Sequence, residues 1–172
     1  MHPDDVYGTK KSDVLWLGTN LCVFLTPIIK FLFMSENSEF CFTQAIEFDD
    51  FSKKRIFPKR FKMGNVLNFV FVKDFVPAGS MMFSRTLFDR LKGFNENLQA
   101  EDWDFVIRSA ANTEFCAVKE PLLYYRSHCS NTMKTTSRKE IFRQKALILL
   151  TNYNLVSPYI WLLSILINFT YD

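Results

Sequence analysis

The run Glu101-Asp102-Trp103-Asp104-Phe105-Val106-Ile107-Arg108-Ser109-Ala110 decides how this chain is read. Trp103, Val106, Ile107 and Ala110 fall at i, i+3, i+4 and i+7, the spacing of a helix that buries one face. Trp103 then points inward and Glu101 and Asp102 occupy the first turn. Carboxylates at that position complement the helix dipole and accept from free backbone N–H groups, so the pair has a structural explanation before any chemical one. Asp104 is read as a structural partner for a cation. Arg108, one turn on, is such a cation, in a pair contributing a few tenths of a kcal/mol if exposed.

Immediately upstream, Asn95 to Ala100 reads as a loop, and Gly93 suits the left-handed conformation that closes a short helix over Thr86 to Leu91. Before that helix, Pro77-Ala78-Gly79-Ser80 is a small-residue passage that lets backbone approach closely, and Met81 to Phe83 suits a buried strand. Val66 to Val72 is apolar and short, and its periodicity fits a strand or a buried helical turn. Asp49 to Lys62 carries Lys53, Lys54, Arg55, Lys59, Arg60 and Lys62 with little apolar content. It reads as an exposed basic loop, solvated or touching a phosphate-bearing substrate. Phe40 to Phe48 is rich in strand formers, and Thr19 to Met34 reads as an apolar helix kinked at Pro27.

Downstream, Phe115 to Val118 and Leu122 to Tyr125 are expected as two short strands around a Glu120-Pro121 turn, the second at a sheet edge. Ser137-Arg138-Lys139-Glu140 is a capping box ahead of a helix over Ile141 to Leu150. Asn152 to Asn154 interrupts, and Ser157-Pro158 restarts a helix running to Phe169.

A chain of 172 residues is one domain of ordinary size. Its 19 Phe imply either a Phe-rich core or apolar surface that meets a partner or lipid. With Lys and Arg at 21 against Asp and Glu at 18, and no long basic tract, nucleic acid is not an expected partner. Cys22, Cys41, Cys116 and Cys129 show no metal-ligand or redox spacing and read as buried or free thiols of a reducing compartment. The polar, acidic start lacks the features of a secretory signal, so the expected location is the cytoplasm. The apolar tracts Val14 to Met34 and Pro158 to Phe169 read as core helices or peripheral membrane contact at the inner face, since a spanning helix needs ~20 uninterrupted apolar residues.

Taken in order, Pro77-Ala78-Gly79-Ser80, Gly93-Phe94-Asn95-Glu96, Glu101-Asp102-Trp103-Asp104, Arg108 and Tyr125-Arg126-Ser127-His128 resemble the acceptor-side half of family 2 glycosyltransferases of the GT-A fold. Linked motifs at matching spacing are far more specific than any one of them. The fold implied is an α/β, incomplete GT-A-like domain: a mixed sheet flanked by helices, over residues 1–134, with an apolar helical extension over residues 135–172. The activity implied is transfer of a sugar from a nucleotide-sugar donor to a hydroxyl of a saccharide or lipid-linked acceptor, with inversion, in surface polysaccharide synthesis.

By that resemblance Asp102 is the catalytic base, and a helix N-terminus would hold it still and ionised. Gly79, Ser80, Glu101 and Arg126 would line the donor and acceptor sites. Mn²⁺ or Mg²⁺ would be held by Asp13 and His128. Lys11-Ser12-Asp13-Val14-Leu15-Trp16-Leu17 resembles the family's D-S-D-D-L-W-L passage with only the central acid kept. A nucleotide-binding half has no room before it, so the isolated chain is expected to transfer sugar poorly. The alternative, from another class, is a non-catalytic remnant serving as a binding or membrane-associated module.

Overall fold

The computed structural model describes residues 14–16, 38–49, 54–60, 62–127 and 135–170, the first group as backbone only. The expected helix over Thr19 to Met34 lies outside them. The described strands form one five-stranded mixed sheet. Its hub is β2 (Ser38–Phe48), which pairs antiparallel with β3 (Lys54–Phe57) and with β4 (Met82–Ser84), while β1 (Val14–Trp16) continues the sheet beyond β4. Along its other side β2 runs parallel to β5 (Glu114–Arg126). The helices are α1 (Leu67–Val72), α2 (Arg85–Arg90), α3 (Glu101–Ala110), α4 (Arg138–Thr151) and α5 (Pro158–Thr170).

Two expectations change. The basic stretch after Asp49 is not all loop: Lys54–Phe57 pairs with Ala45–Phe48 as a hairpin arm. Its first three residues are exposed, so it lacks the alternation that marks a half-buried strand. The two short strands proposed around Pro121 are one strand. Its register with β2 passes from Thr43 opposite Val118 to Gln44 opposite Pro121, so Lys119 and Glu120 form a bulge. A bulge is where a sheet accepts a proline, which has no N–H to give the ladder. Val66 to Val72 resolves as the helix α1.

Most of the described Phe residues are absorbed by the core. Phe40 stacks on Phe115 at 4.0 Å between ring centroids, and Phe105 of α3 meets Phe83 at 4.7 Å and Phe94 at 4.8 Å. Thus the strands and the loop before α3 are joined through aromatic rings, packing that adds to plain area burial. The C-terminal helices enter the same core: Ile148 and Leu149 of α4 are buried in it, and α5 donates from Ser164 Oγ to the carbonyl of Phe71 at 2.9 Å. Ser137 caps α4 as its sequence indicates, accepting from Glu140 N–H at 3.2 Å.

A buried polar junction fixes α3. Asp104 is 1% exposed. Its Oδ2 accepts from Arg108 Nε at 2.7 Å, and its Oδ1 accepts from Asn152 Nδ2, at the C-terminus of α4, at 2.8 Å. Arg108 also donates to the carbonyls of Leu91 and Gly93, at 2.8 and 3.0 Å. Both neighbours of that turn, Lys92 and Gly93, have positive φ, at 60° and 71°. The guanidinium therefore braces the strained turn that leads into the loop before α3.

Removing one partner of such a pair strands a charge in the interior. Asp104→Ala should lower unfolding free energy by about 3–5 kcal/mol in urea titrations. Asp89→Ala, which breaks the exposed Arg85–Asp89 pair, should cost under about 1 kcal/mol.

Candidate active site

Asp102 occupies the first turn of α3, whose N-cap residue, Ala100, has no side-chain oxygen to cap with. The neighbouring Trp103 is driven inward, and its indole N–H donates to the Val70 carbonyl at 2.7 Å, fastening α3 to α1. That anchor sets the direction of Asp102. Its carboxylate lines a cleft of about 340 Å³, between the turn after α1 (Lys73, Asp74), the start of α3 (Gln99, Ala100, Trp103), α4 with its lead-in (Thr136, Ile141, Gln144, Lys145) and Asn168 of α5. The volume falls at the small end of ligand cavities.

The walls are held by specific bonds. Gln144 accepts from the backbone N–H of Gln99 at 3.1 Å and donates to Glu140 at 2.8 Å, locking the loop before α3 to α4. Asn168 donates to the Val72 carbonyl at 2.8 Å. Each bond closes the C-terminal helices over the cleft.

Electrostatics add burial to the expectation for Asp102. The helix N-terminus does not hold Asp102 at an ordinary acidity: burial raises its pKa, and the hydrogen bond from Trp103 N–H at 2.8 Å offsets this only in part. Desolvation, which disfavours the charged form, is the larger effect here.

Asp74 is the residue that sequence reasoning missed. Its carboxylate accepts from Val76 N–H at 2.9 Å in a turn of its own, and its pKa is pushed up to about 7, chiefly by burial, with the Asp102 charge adding to the rise. Only the Asp-x-Val spacing before Pro77 signals such a turn in the sequence, and that spacing says nothing of a neighbour 28 positions away.

The other expected residues do not line this cleft. Ser80 is 5% exposed, and its hydroxyl is engaged with backbone: Oγ lies 2.8 Å from the Pro77 carbonyl and 3.0 Å from that of Thr43, and accepts from Thr43 N–H. Buried hydroxyls find such partners, and this one ties the tight turn Ala78–Ser80, Gly79 included, to β2. Glu101 sits beside Asp102 on the first turn, half-buried. Arg126 ends β5 opposite Phe48, on the exposed sheet end. Asp13 and His128 lie outside the described residues. Among the described residues, no three His, Cys, Asp or Glu side chains converge on a possible ion site.

With this geometry in view, comparison with known proteins is informative. A family model described as "Glycosyltransferase like family 2" matches residues 24–151, most of the chain, including β2, the cleft's α3 and all of α4. The chain belongs to that family. A glycosyltransferase of this kind is thereby indicated in general terms, and its fold, a mixed α/β sheet flanked by helices, is that expected of a GT-A-like domain. No curated protein matches the chain. None of the described helices is long and apolar enough to cross a membrane.

The raised pKa of Asp74 has a consequence for this glycosyltransferase domain. A carboxyl that binds its proton more tightly folded than unfolded stabilises the fold at low pH, and that contribution is lost as pH rises from the unfolded value towards about 7. Asp74→Asn keeps the acceptor for Val76 N–H and removes the titration. Its melting temperature should exceed that of the unmodified protein at pH 8 and converge with it near pH 4, by calorimetry at both values.

Proposed function

We propose that this domain transfers a sugar, with inversion, from a nucleotide-sugar donor to a hydroxyl of a saccharide or lipid-linked acceptor, with Asp102 as general base. Family membership supports the reaction class. The observation that carries the residue assignment is Asp102 itself: a half-buried carboxylate of raised pKa at the wall of a ligand-sized cleft. A base whose pKa approaches the working pH is a stronger proton acceptor than an exposed aspartate.

In the proposed step the acceptor oxygen attacks the anomeric carbon from the face opposite the nucleotide. The bond from that carbon to the diphosphate oxygen breaks, the diphosphate leaves with the electron pair, and Asp102 takes the acceptor's proton as the new bond forms. Lys73 and Lys145, on opposite walls of the cleft, supply positive charge beside the two acids. Glu101 next to Asp102 is suited to bonding an acceptor hydroxyl. Surface polysaccharide synthesis is the setting that the resemblance implies.

The reading also includes a divalent ion, Mn²⁺ or Mg²⁺, on Asp13 and His128. When bound, such an ion neutralises charge on the departing diphosphate. The described residues offer no ligand set for it, and the proton transfer to Asp102 stands without it.

Asp102→Asn should lower transfer from a nucleotide sugar by about 10²–10⁴-fold, the usual contribution of a general base, with melting temperature little changed. Glu101→Gln should act mainly on acceptor KM. The acidic limb of kcat/KM should lie above the ordinary aspartate range, because burial raises the Asp102 pKa. Equal turnover of Asp102→Asn and the unmodified protein would refute the assignment.

A further inference from the structure

α5 is apolar on both of its faces. Inward, Ile160, Trp161 and Ile165 pack against the core, while fully buried Ser164 bonds the Phe71 carbonyl and Asn168 bonds that of Val72. Its outward face is apolar, with Tyr159, Leu162 and Leu163 standing 83, 57 and 42% exposed. The tethers orient the helix, so this exposure is imposed by packing. A surface helix ordinarily turns its apolar side to the core.

Leu163 also lines a broad groove of about 1370 Å³ running between α5, α1 and the β3 hairpin arm. The opposite walls carry Lys59, Arg60, Lys62, Lys73 and Lys119, all exposed, and Asp74 is the one acid among the lining residues. Arg55 is also there, its charge paired with Glu47. Apolar side chains interleave with these cations: Ile56 and Phe69 line the groove at 46 and 45% exposure. The Lys62 ammonium rests 3.5 Å from the centroid of the Phe69 ring. An apolar helical stripe flanked by basic side chains and partly exposed aromatics is the make-up of a surface that lies in the headgroup layer of an anionic bilayer.

We infer that the α5 face and the adjoining basic groove dock this domain on an anionic membrane surface, Tyr159, Leu162 and Leu163 entering the apolar boundary while Lys59, Arg60 and Lys62 meet lipid phosphates. Lys73 and Asp74 line both the groove and the cleft of Asp102. Docking therefore presents that cleft to the bilayer surface, where a lipid-linked acceptor would be held. The membrane contact stands apart from the transfer chemistry: Asp102→Asn should dock unchanged, so either reading can fail alone.

The test is co-sedimentation of the full chain with vesicles of phosphatidylcholine alone and of phosphatidylcholine with about a third phosphatidylglycerol. Binding should be at least tenfold tighter to the anionic vesicles and weaken as salt is raised. The triple variant Lys59→Glu, Arg60→Glu, Lys62→Glu should lose about a hundredfold on anionic vesicles. Leu162→Gln with Leu163→Gln should lose at least tenfold while melting as the unmodified protein does. A charge-reversed variant that still binds anionic vesicles normally would overturn the inference. So would a chain that ignores both vesicle types, whether because it dimerises through α5 in light scattering or because Tyr159 is already protected from hydroxyl-radical labelling by this chain's own Val14 to Met34 tract.

Discussion

The carboxylate of Asp104 holds the structure together at the point where function is placed. One oxygen takes the guanidinium of Arg108 and the other the amide of Asn152, so α3 is joined to the end of α4, and Arg108 passes the connection to the turn at Leu91 and Gly93. A charge this deeply buried is tolerated only with its partners in place. The network spans three segments, α3, the end of α4 and the turn at Leu91 and Gly93, so none can shift without exposing a charge to apolar surroundings. Loop, helix start and C-terminal helices are thereby held as one body around the cleft.

The aromatic core supplies the surface against which this junction is set. Phe105 lies among Phe83, Phe88 and Phe94, and Phe40 joins β2 to β5 through Phe115. The sheet and the loop before α3 are thus packed onto the same rings, and the Trp103 anchor on Val70 sets the rotation of the helix. Asp102 is left facing the cleft because its neighbours at 103 and 104 are both turned inward. Burial then raises its pKa as exposure would not, and the Asp102 charge in turn helps to raise that of Asp74.

Polar tethers have a second consequence. Ser164 and Asn168 tether α5 to the carbonyls of α1 while Ile160, Trp161 and Ile165 pack on the core, and together these fix which apolar residues face the exterior next to a basic groove. Cleft and groove share the Lys73-Asp74 turn, so one short segment contributes to both. That turn is held by a local bond from Val76, and its position depends on α1.

Local signals in the sequence determined a good deal: the i, i+3, i+4, i+7 pattern that makes α3, the Ser137 cap of α4, the Gly93 turn, the Ser157-Pro158 restart of α5, and the run of motifs that names the family. Each depends on residues within a turn or two of one another, where backbone geometry alone relates them. What the tertiary structure decided is long-range. The bulge that lets β5 run through Pro121 needs β2 beside it, and the hairpin arm at Lys54–Phe57 has too little buried face to announce itself. Cys41 and Cys116, unremarked by spacing, come into register only because β2 and β5 are parallel. The acidity of Asp102 is long-range for the same reason: its first-turn position is a local property, whereas the burial that raises its pKa is created by segments far along the chain.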